Sequence, residues 1–252
     1  THEDGDHVWG NQLFKGAEII AHRTVLERMP QVSDPSETQK LLAGADRFLS
    51  RLLLKAIHPG ALAIAKQLQQ DYDFSGINLV LPTTVFDERH VLDLDGTEVQ
   101  LIYVGPCHQV GDTIVYLPKE RVLFAGDVIF RECTPMGWTG SYEKWLKIID
   151  LIIALDPEVI VPGHGPVCGL EGAMEMKTYL DYVREESSSF FARGMSALDA
   201  AKRIDLGPYS AWNAPARVYL NVERAYREFR HEVEDQPWDT AKSFDHIYKV
   251  AK

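Results

Sequence analysis

The sequence predicts a mixed α/β protein of the α+β type with a helical C-terminal part, and three observations indicate this class. Strand-like segments fill residues 91–130, and a helical pattern at 142–155 precedes a buried strand at 159–161. The region 170–252 is mostly helical by pattern. The 252 residues are 45% apolar and 25% charged, an ordinary globular composition that excludes disordered and collagen-like classes.

The first third of the chain predicts mainly helices. A helix is expected to begin near His7, followed by a short strand at residues 17–21. Apolar residues then recur at helical spacing from about Glu37 to Asp71, with a break at His58-Pro59-Gly60. We therefore expect a helical insertion at about residues 28–75 that forms a lid or a cover.

The middle of the chain predicts a β-meander. The Asp95-Gly96 pair between two strand-like runs suits a two-residue hairpin turn. The β-branched and aromatic run Thr113–Leu117 and the segment Val122–Phe124 continue the strand pattern. A helix at 142–155 and a strand closed by Pro162-Gly163 complete the prediction.

Charge and cysteine content limit the partners. The chain has 37 acidic and 26 basic residues and a net charge of −11, which repels polyanions and predicts no nucleic-acid partner. Its most apolar stretch, Trp145–Val161, contains four charged residues, so we predict no transmembrane helix and no membrane partner. Three cysteines without a CxxC pair favour a reducing compartment, and we expect a cytoplasmic protein.

Residues able to bind metals concentrate in four short segments. The first is Thr1–His7, which packs histidines and acids onto a glycine-containing loop. The others are Gly105–His108, Ala125–Asp127 and Pro162–Gly165, each at the expected end of a strand. A capped turn would explain Asp127 alone, and a satisfied histidine would explain His108 alone. Four such segments within apolar runs are harder to explain by packing, because buried polar groups are costly unless paired or metal-bound.

These segments together resemble the metallo-β-lactamase superfamily from Thr1 to about Val167. The resemblance is in the order His-x-acid-x-Asp-His, Gly-x-x-His before Gly-Asp, a strand-ending Gly-Asp, and Pro-Gly-His-Gly. It implies an αββα sandwich with a helical C-terminal extension, and two divalent metal ions. The implied metal ligands are His2, Asp4 and His108 for one ion, Asp6, His7 and His164 for the other, and Asp127 bridging both.

The chain departs from the family pattern at Asp4, where the family usually has histidine. An additional carboxylate makes the metals weaker Lewis acids, and a harder ligand favours iron or manganese relative to zinc. We nevertheless expect Zn²⁺, with Fe or Mn as the alternatives. The family also has several strands before the first motif, so we expect an incomplete first sheet, and a leader or further strands could lie upstream.

The resemblance implies a metal-dependent hydrolase that uses a metal-bound hydroxide to cleave an ester, thioester, lactone or amide bond in a small molecule. Asp6 is the expected catalytic residue, because it could orient the nucleophile or shuttle its proton. Glyoxalase-II-like thioesterase or β-lactamase activity is an alternative. A non-catalytic binding member or a diiron redox protein of the same fold is another.

Two residues after the bridging ligand are candidates for substrate binding. Trp138 could lie on the rim of the site, but it could equally anchor a packed loop. Arg131 could hold a substrate carboxylate, although a surface salt bridge is the more ordinary role. We expect a catalytic domain at 1–168 and a helical extension at 169–252, which could cover the core or form the surface of a homodimer.

Overall fold

The computed structural model describes residues 1–232 and 236–252, so residues 233–235 of the predicted C-terminal extension lie outside the described part. A five-stranded sheet has the order β3-β4-β5-β6-β7, antiparallel except for the parallel pair β6–β7. A separate two-stranded parallel sheet contains β1 and β2. The strands are β1 Ile20–His22, β2 Thr84–Phe86, β3 Arg89–Leu94, β4 Thr97–Tyr103, β5 Thr113–Leu117, β6 Val122–Phe130 and β7 Val159–His164.

Ten α-helices accompany these strands within the described residues, which confirms the predicted mixed α/β class. None of the described helices is long and apolar enough to cross a membrane. Three short 3-10 helices lie at Trp9–Leu13, Gly207–Ala211 and Pro215–Arg217. The α-helices are α1 Gly5–Val8, α2 Arg23–Val32, α3 Pro35–Asp46, α4 Phe48–Ile57, α5 Pro59–Asp71, α6 Tyr142–Ala154, α7 Leu170–Ala192, α8 Ala197–Ala201, α9 Val218–Phe229 and α10 Thr240–Val250.

The meander and its turn follow the sequence prediction. Leu94 pairs with Thr97, so Asp95 and Gly96 form the two-residue turn. Both turn residues have positive φ, 54° and 87°, as the primed hairpin turns with right-handed twist require.

The N-terminal elements differ from the prediction in their boundaries. The strand expected at 17–21 lies at Ile20–His22, where it pairs in register with Thr84–Phe86. Helices begin earlier than the expected insertion, at Arg23, because the side chain of His22 accepts a hydrogen bond from Thr24 N at the start of α2. The expected break at His58-Pro59-Gly60 separates α4 from α5, and a further break at Arg47 divides the preceding helical run.

The main hydrophobic core joins the sheet to the C-terminal helices. Trp145 and Ile149 of α6 and Met176 and Tyr179 of α7 are fully buried in the same cluster as Leu123 of β6. The region predicted as an extension therefore shares its core with the sheet that carries the candidate site. A smaller, separate core of Leu42, Leu62 and Ala65 holds the α3–α5 helices together.

Candidate metal centre

Sheet topology brings the four polar segments to one place. The β4–β5 loop, which carries His108, lies at the end of the sheet where β6 and β7 also finish. Asp127 lies in β6 and His164 is the last residue of β7, so both project at that end. The N-terminal loop joins them because Thr113 N donates to Thr1 O at 2.8 Å. All seven expected ligands therefore lie at this end of the strands.

The first group of side chains is buried. Ligand atoms of His2, His108 and Asp127 lie within 4.8 Å of one another, and each residue is at most 3% exposed. Asp4 completes the group, because its Oδ2 lies 3.1 Å from His108 Nε2 and 3.6 Å from His2 Nε2. The imidazoles of His2 and His108 and the carboxylates of Asp4 and Asp127 are thus close to one another in this group.

The second group lies beside it and is more exposed. Asp6 Oδ2 lies 3.5 Å from His7 Nε2 and 3.4 Å from His164 Nε2. The side chain of Asp6 is 58% exposed and that of His164 is 42% exposed, so this group opens to solvent. The ligand atoms of Asp6, His7 and His164 also lie within 4.8 Å of one another.

Asp127 contacts both groups. Its Oδ1 lies 3.2 Å from His7 Nε2, and its Oδ2 lies 3.3 Å from Nε2 of both His108 and His164. Glycines make this position possible: a Cβ on Gly163 would lie 1.9 Å from Asp127 Oδ1, and one on Gly126, where φ is +53°, would lie 2.8 Å from Thr1 Cβ. Steric crowding therefore explains why glycine precedes Asp127 and His164 in the Gly-Asp and Pro-Gly-His motifs.

The donor set fits divalent metal ions. His2 Nε2 is buried and its nearest described partner, Asp4 Oδ2, lies 3.6 Å away, beyond hydrogen-bond distance, which is costly for a polar atom unless another partner binds it. Asp127 Oδ1 is also buried and has only another candidate ligand, His7 Nε2, near it at 3.2 Å. His108 Nδ1 is 2.7 Å from Met136 O, so a hydrogen bond there leaves Nε2 facing the group. Imidazole nitrogens and carboxylate oxygens suit zinc, and carboxylates also suit manganese and iron.

Electrostatics favour positive charge between these side chains. Burial lowers the pKa of His2 to about 4, which keeps this imidazole neutral at neutral pH. Burial opposes protonation of His108 as well, yet the carboxylates of Asp127 and Asp4 raise its pKa to about 10. Hydrogen bonds with Asp127 and Asp6 raise the pKa of His164 to about 9. The carboxylates therefore attract cations to the site.

The loop that carries His108 is held by a buried carboxylate. Asp112 Oδ2 accepts hydrogen bonds from the backbone N–H groups of Cys107, His108 and Gln109 at 2.9, 2.6 and 3.0 Å. Burial raises the pKa of Asp112 to about 6 although these donors favour its charged form. The Gly-Asp motif, noted in the sequence only as part of a resemblance, thus fixes the backbone beside a candidate ligand.

The sequence analysis missed two further supporting residues, Gln109 and Glu3. Gln109 Nε2 donates to Asp4 Oδ1 at 2.8 Å and orients that carboxylate. Glu3, fully buried between two candidate ligands, accepts from Arg28 Nε at 2.7 Å and from Gly111 N at 3.0 Å. A buried acid within a ligand motif was a visible signal for Glu3.

Arg224 supports the site from the C-terminal helices. Its Nη2 donates to Cys107 O at 2.6 Å and also to Thr139 O, and the guanidinium stacks on Trp145 at 4.8 Å. Arg224 is 4% exposed and burial lowers its pKa. The sequence offered no clear signal, because Arg224 stands among other charged residues of α9, such as Glu223 and Arg227, and nothing local connected it with residue 107.

The structure places the two candidate substrate residues beside the site. Arg131 N donates to His164 O at 2.9 Å, while its guanidinium forms an ion pair with Glu175. Trp138 N donates to His108 O at 2.8 Å, and its ring packs edge-on against Trp238 at 5.7 Å. Both backbones therefore support candidate ligands, and both side chains already have partners within the protein.

Comparisons with known proteins bear on the family and the fold of the chain. Residues 1–164 match the family model described as the metallo-beta-lactamase superfamily. Over 82 residues the chain is 37% identical to 2,4-dinitroanisole O-demethylase subunit alpha of Nocardioides sp. (strain JS1661), covering 31% of this chain and 24% of that protein. Over 212 residues it is 22% identical to the acyl-coenzyme A thioesterase MBLAC2 of Bos taurus, covering 79% of this chain and 67% of that protein.

A solved structure shows the same fold. The stereoselective inverting sec-alkylsulfatase Pisa1 from Pseudomonas sp. matches with a TM-score of 0.56 at 13% identity, covering 84% of this chain and 36% of that chain. The chain spans about a quarter of the Nocardioides protein and about a third of the sulfatase.

Proposed function

Because the chain belongs to the metallo-β-lactamase superfamily, whose members are generally hydrolases, we propose that it is a metal-dependent hydrolase of a small acyl compound. One observation carries the proposal. Seven metal-competent side chains from four distant segments converge, and the nearest polar partners of the buried atoms His2 Nε2 and Asp127 Oδ1 are other candidate ligands, Asp4 and His7.

In this proposal His2, Asp4 and His108 would hold one divalent ion, Asp6, His7 and His164 would hold the other, and Asp127 would contribute a ligand to both. When bound, such ions polarise a carbonyl oxygen and lower the pKa of nearby water so that it is nucleophilic at neutral pH. Zn²⁺ is the proposed metal, because four of the seven ligands are imidazoles. The carboxylate of Asp4 makes Fe or Mn the alternatives.

The exposed and the buried side chains of the site have different proposed roles. Asp6 is the proposed catalytic residue, since its half-exposed carboxylate lies at the mouth, where it can orient an attacking water and accept its proton. The buried imidazoles of His2 and His108 form the floor and exclude bulk water from the reacting bond. A substrate would therefore approach from the side of Asp6 and His164.

An ester or thioester is the proposed substrate class. The likeness to an acyl-coenzyme A thioesterase extends over 79% of this chain, which supports an acyl substrate more broadly than the local matches do. Arg131 and Trp138 remain proposed substrate contacts. Either one would have to exchange its present partner, Glu175 or Trp238, for the substrate.

Metal analysis combined with a substrate panel tests this function. Purified protein is assayed for bound Zn, Fe and Mn, and its turnover of an aryl ester, an acyl thioester, a lactone and a β-lactam is measured before and after chelation. We expect bound metal, acyl ester or thioester turnover that disappears on chelation, and recovery when metal is restored. Circular dichroism controls for unfolding.

The alternatives have distinct outcomes. Full turnover after complete metal removal would contradict the proposal. A folded protein that turns over no substrate but binds a small ligand would favour a non-catalytic binding member. Bound iron with a near-ultraviolet oxo-to-iron absorption band would favour diiron redox chemistry.

A further inference from the structure

Helix α4 exposes an apolar stripe. Leu49, Leu52, Leu53 and Ile57 are 78%, 52%, 60% and 54% exposed, and their spacing of three to four residues places them along one side of the helix. The opposite side of the helix packs inward, since Leu54 contacts the small core of the α3–α5 helices. Single exposed apolar residues are ordinary, whereas a row of four on one helix indicates an interaction surface.

A basic groove lies beside this stripe. A cavity of about 670 Å³ is lined by residues of α4, α5 and the C-terminal end of the described chain, with Leu52 and Leu62 contributing apolar walls. Four cationic side chains line it: Arg51, Lys55, Lys66 and Lys252. Within the described part of the chain, no carboxylate side chain lines the groove and none of these cations forms an ion pair. This local charge contrasts with the net charge of −11.

We propose that the α4 stripe and the adjoining groove dock on an anionic lipid surface. Apolar side chains along a helix can enter the boundary between headgroups and acyl chains, while flanking arginines and lysines meet the lipid phosphates. The surface offers both elements side by side. The proposal is independent of the reaction at the metal centre.

Charge distinguishes this occupant from a second copy of the chain. A symmetric dimer through α4 would bring Arg51 and Lys55 towards the same cations of the other copy, with no described carboxylate in the groove to neutralise them. An acidic peptide would neutralise the groove but leave the outward stripe uncovered. A lipid surface would both neutralise the cations of the groove and cover the apolar stripe.

The net negative charge of the chain does not oppose such contact. Charges more than about 8 Å apart are largely screened at physiological ionic strength, so the groups nearest the lipid dominate. The sequence-based expectation of no membrane partner rested on the lack of a spanning segment. That observation does not bear on a basic groove assembled from α4 and α5.

Vesicle binding by the full chain tests the proposal. Sedimentation is compared for vesicles of phosphatidylcholine alone and of equimolar phosphatidylcholine and phosphatidylglycerol. The double variant Lys55→Glu/Lys66→Glu tests the groove, and Leu53→Ser/Ile57→Ser tests the stripe. Matched controls are Lys15→Glu/Lys119→Glu, which changes two exposed lysines elsewhere, and Leu94→Ser/Val167→Ser, which changes residues 57% and 63% exposed.

We expect salt-sensitive binding to the anionic vesicles only. Each lysine lost near such a surface lowers affinity about fivefold, so the groove variant, which loses two, should bind at least about 25-fold more weakly than its control. The stripe variant should lose binding to a similar extent, and the melting temperature of each variant shows whether it is folded.

Other results would overturn the proposal. These are no binding to anionic vesicles by the wild-type chain, or equal loss in the control variants. Dissociation of a wild-type dimer by Leu53→Ser/Ile57→Ser, measured by sedimentation equilibrium, would assign the stripe to contact between copies. Saturable binding of poly-glutamate without vesicle binding would assign the groove to an acidic peptide.

Discussion

The backbone N–H of His108 donates to the buried carboxylate of Asp112 at 2.6 Å. The same oxygen accepts from the residues on either side of His108, so one carboxylate fixes three successive peptide groups. This relationship explains how a loop, and not a strand, can hold a candidate metal ligand in place.

Asp112→Ala should destabilise this loop. Removing a charged acceptor from three buried N–H groups should lower the free energy of unfolding by about 3 kcal/mol, and should weaken metal binding at the first group. Urea denaturation and metal titration measure the two effects. Asp93→Ala is the control, because Asp93 Oδ1 accepts one hydrogen bond, from Gly96 N in an exposed turn, and should cost about 1 kcal/mol. Equal losses in both variants would contradict the prediction.

Asp127→Ala should abolish the shared contact between the two groups. Loss of an outer partner of a metal ligand typically costs 10–100-fold in affinity or activity, so loss of Asp127, the proposed shared ligand, should lower turnover by at least about 100-fold. Metal stoichiometry and turnover are measured together. Asp150→Ala, which removes an exposed carboxylate 3.7 Å from Lys177, should change neither. Full metal content in Asp127→Ala would show that Asp127 is not a ligand.

Asp4→His should raise the zinc affinity of the first group of side chains relative to its manganese affinity. The change replaces a carboxylate 3.1 Å from His108 Nε2 by an imidazole, removing one negative charge and supplying a softer donor. Competition with a chromophoric chelator compares zinc and manganese affinities with those of the wild type. Unchanged stoichiometry and affinity would mean that Asp4 is not a ligand.

Arg224→Met should destabilise the loop that carries His108, because Arg224 donates to the carbonyl of Cys107. The variant leaves the buried carbonyl of Cys107 and the partly buried carbonyl of Thr139 without their donor, which should cost about 2–3 kcal/mol of stability and weaken metal binding at the first group. Arg193→Met is the control, since Arg193 also stacks on an aromatic ring, Phe190 at 4.6 Å, but lies on the surface. Normal metal affinity in Arg224→Met would show that the C-terminal helices only cover the core.

Cys107→Ala should leave metal content and turnover unchanged. The thiol donates to Val104 O at 3.3 Å, and burial raises its pKa far above neutrality, so it is no thiolate ligand at pH 7. A small cavity should lower stability by about 1 kcal/mol, measurable by thermal unfolding. Loss of bound metal in this variant would add Cys107 to the site.

Local patterns predicted much of the fold because they depend on neighbouring residues alone. The Asp95-Gly96 turn, the meander and α6 are examples, since turn chemistry and hydrophobic period act within a few residues. Boundaries set by pairing were less predictable. The strand expected at 17–21 shifted to Ile20–His22, because its partner Thr84–Phe86 lies more than 60 residues away.

By itself, the sequence determined the family and which imidazoles and carboxylates could form the site, because each of the four motifs can be recognised within a short segment. Only the tertiary structure decided that Asp127 contacts both groups, that Asp112 and Arg224 hold the His108 loop, and that α4 and α5 form a basic groove on an acidic protein. Those relationships join residues distant along the chain. Packing and hydrogen bonding between elements fix them, and no local pattern records such contacts.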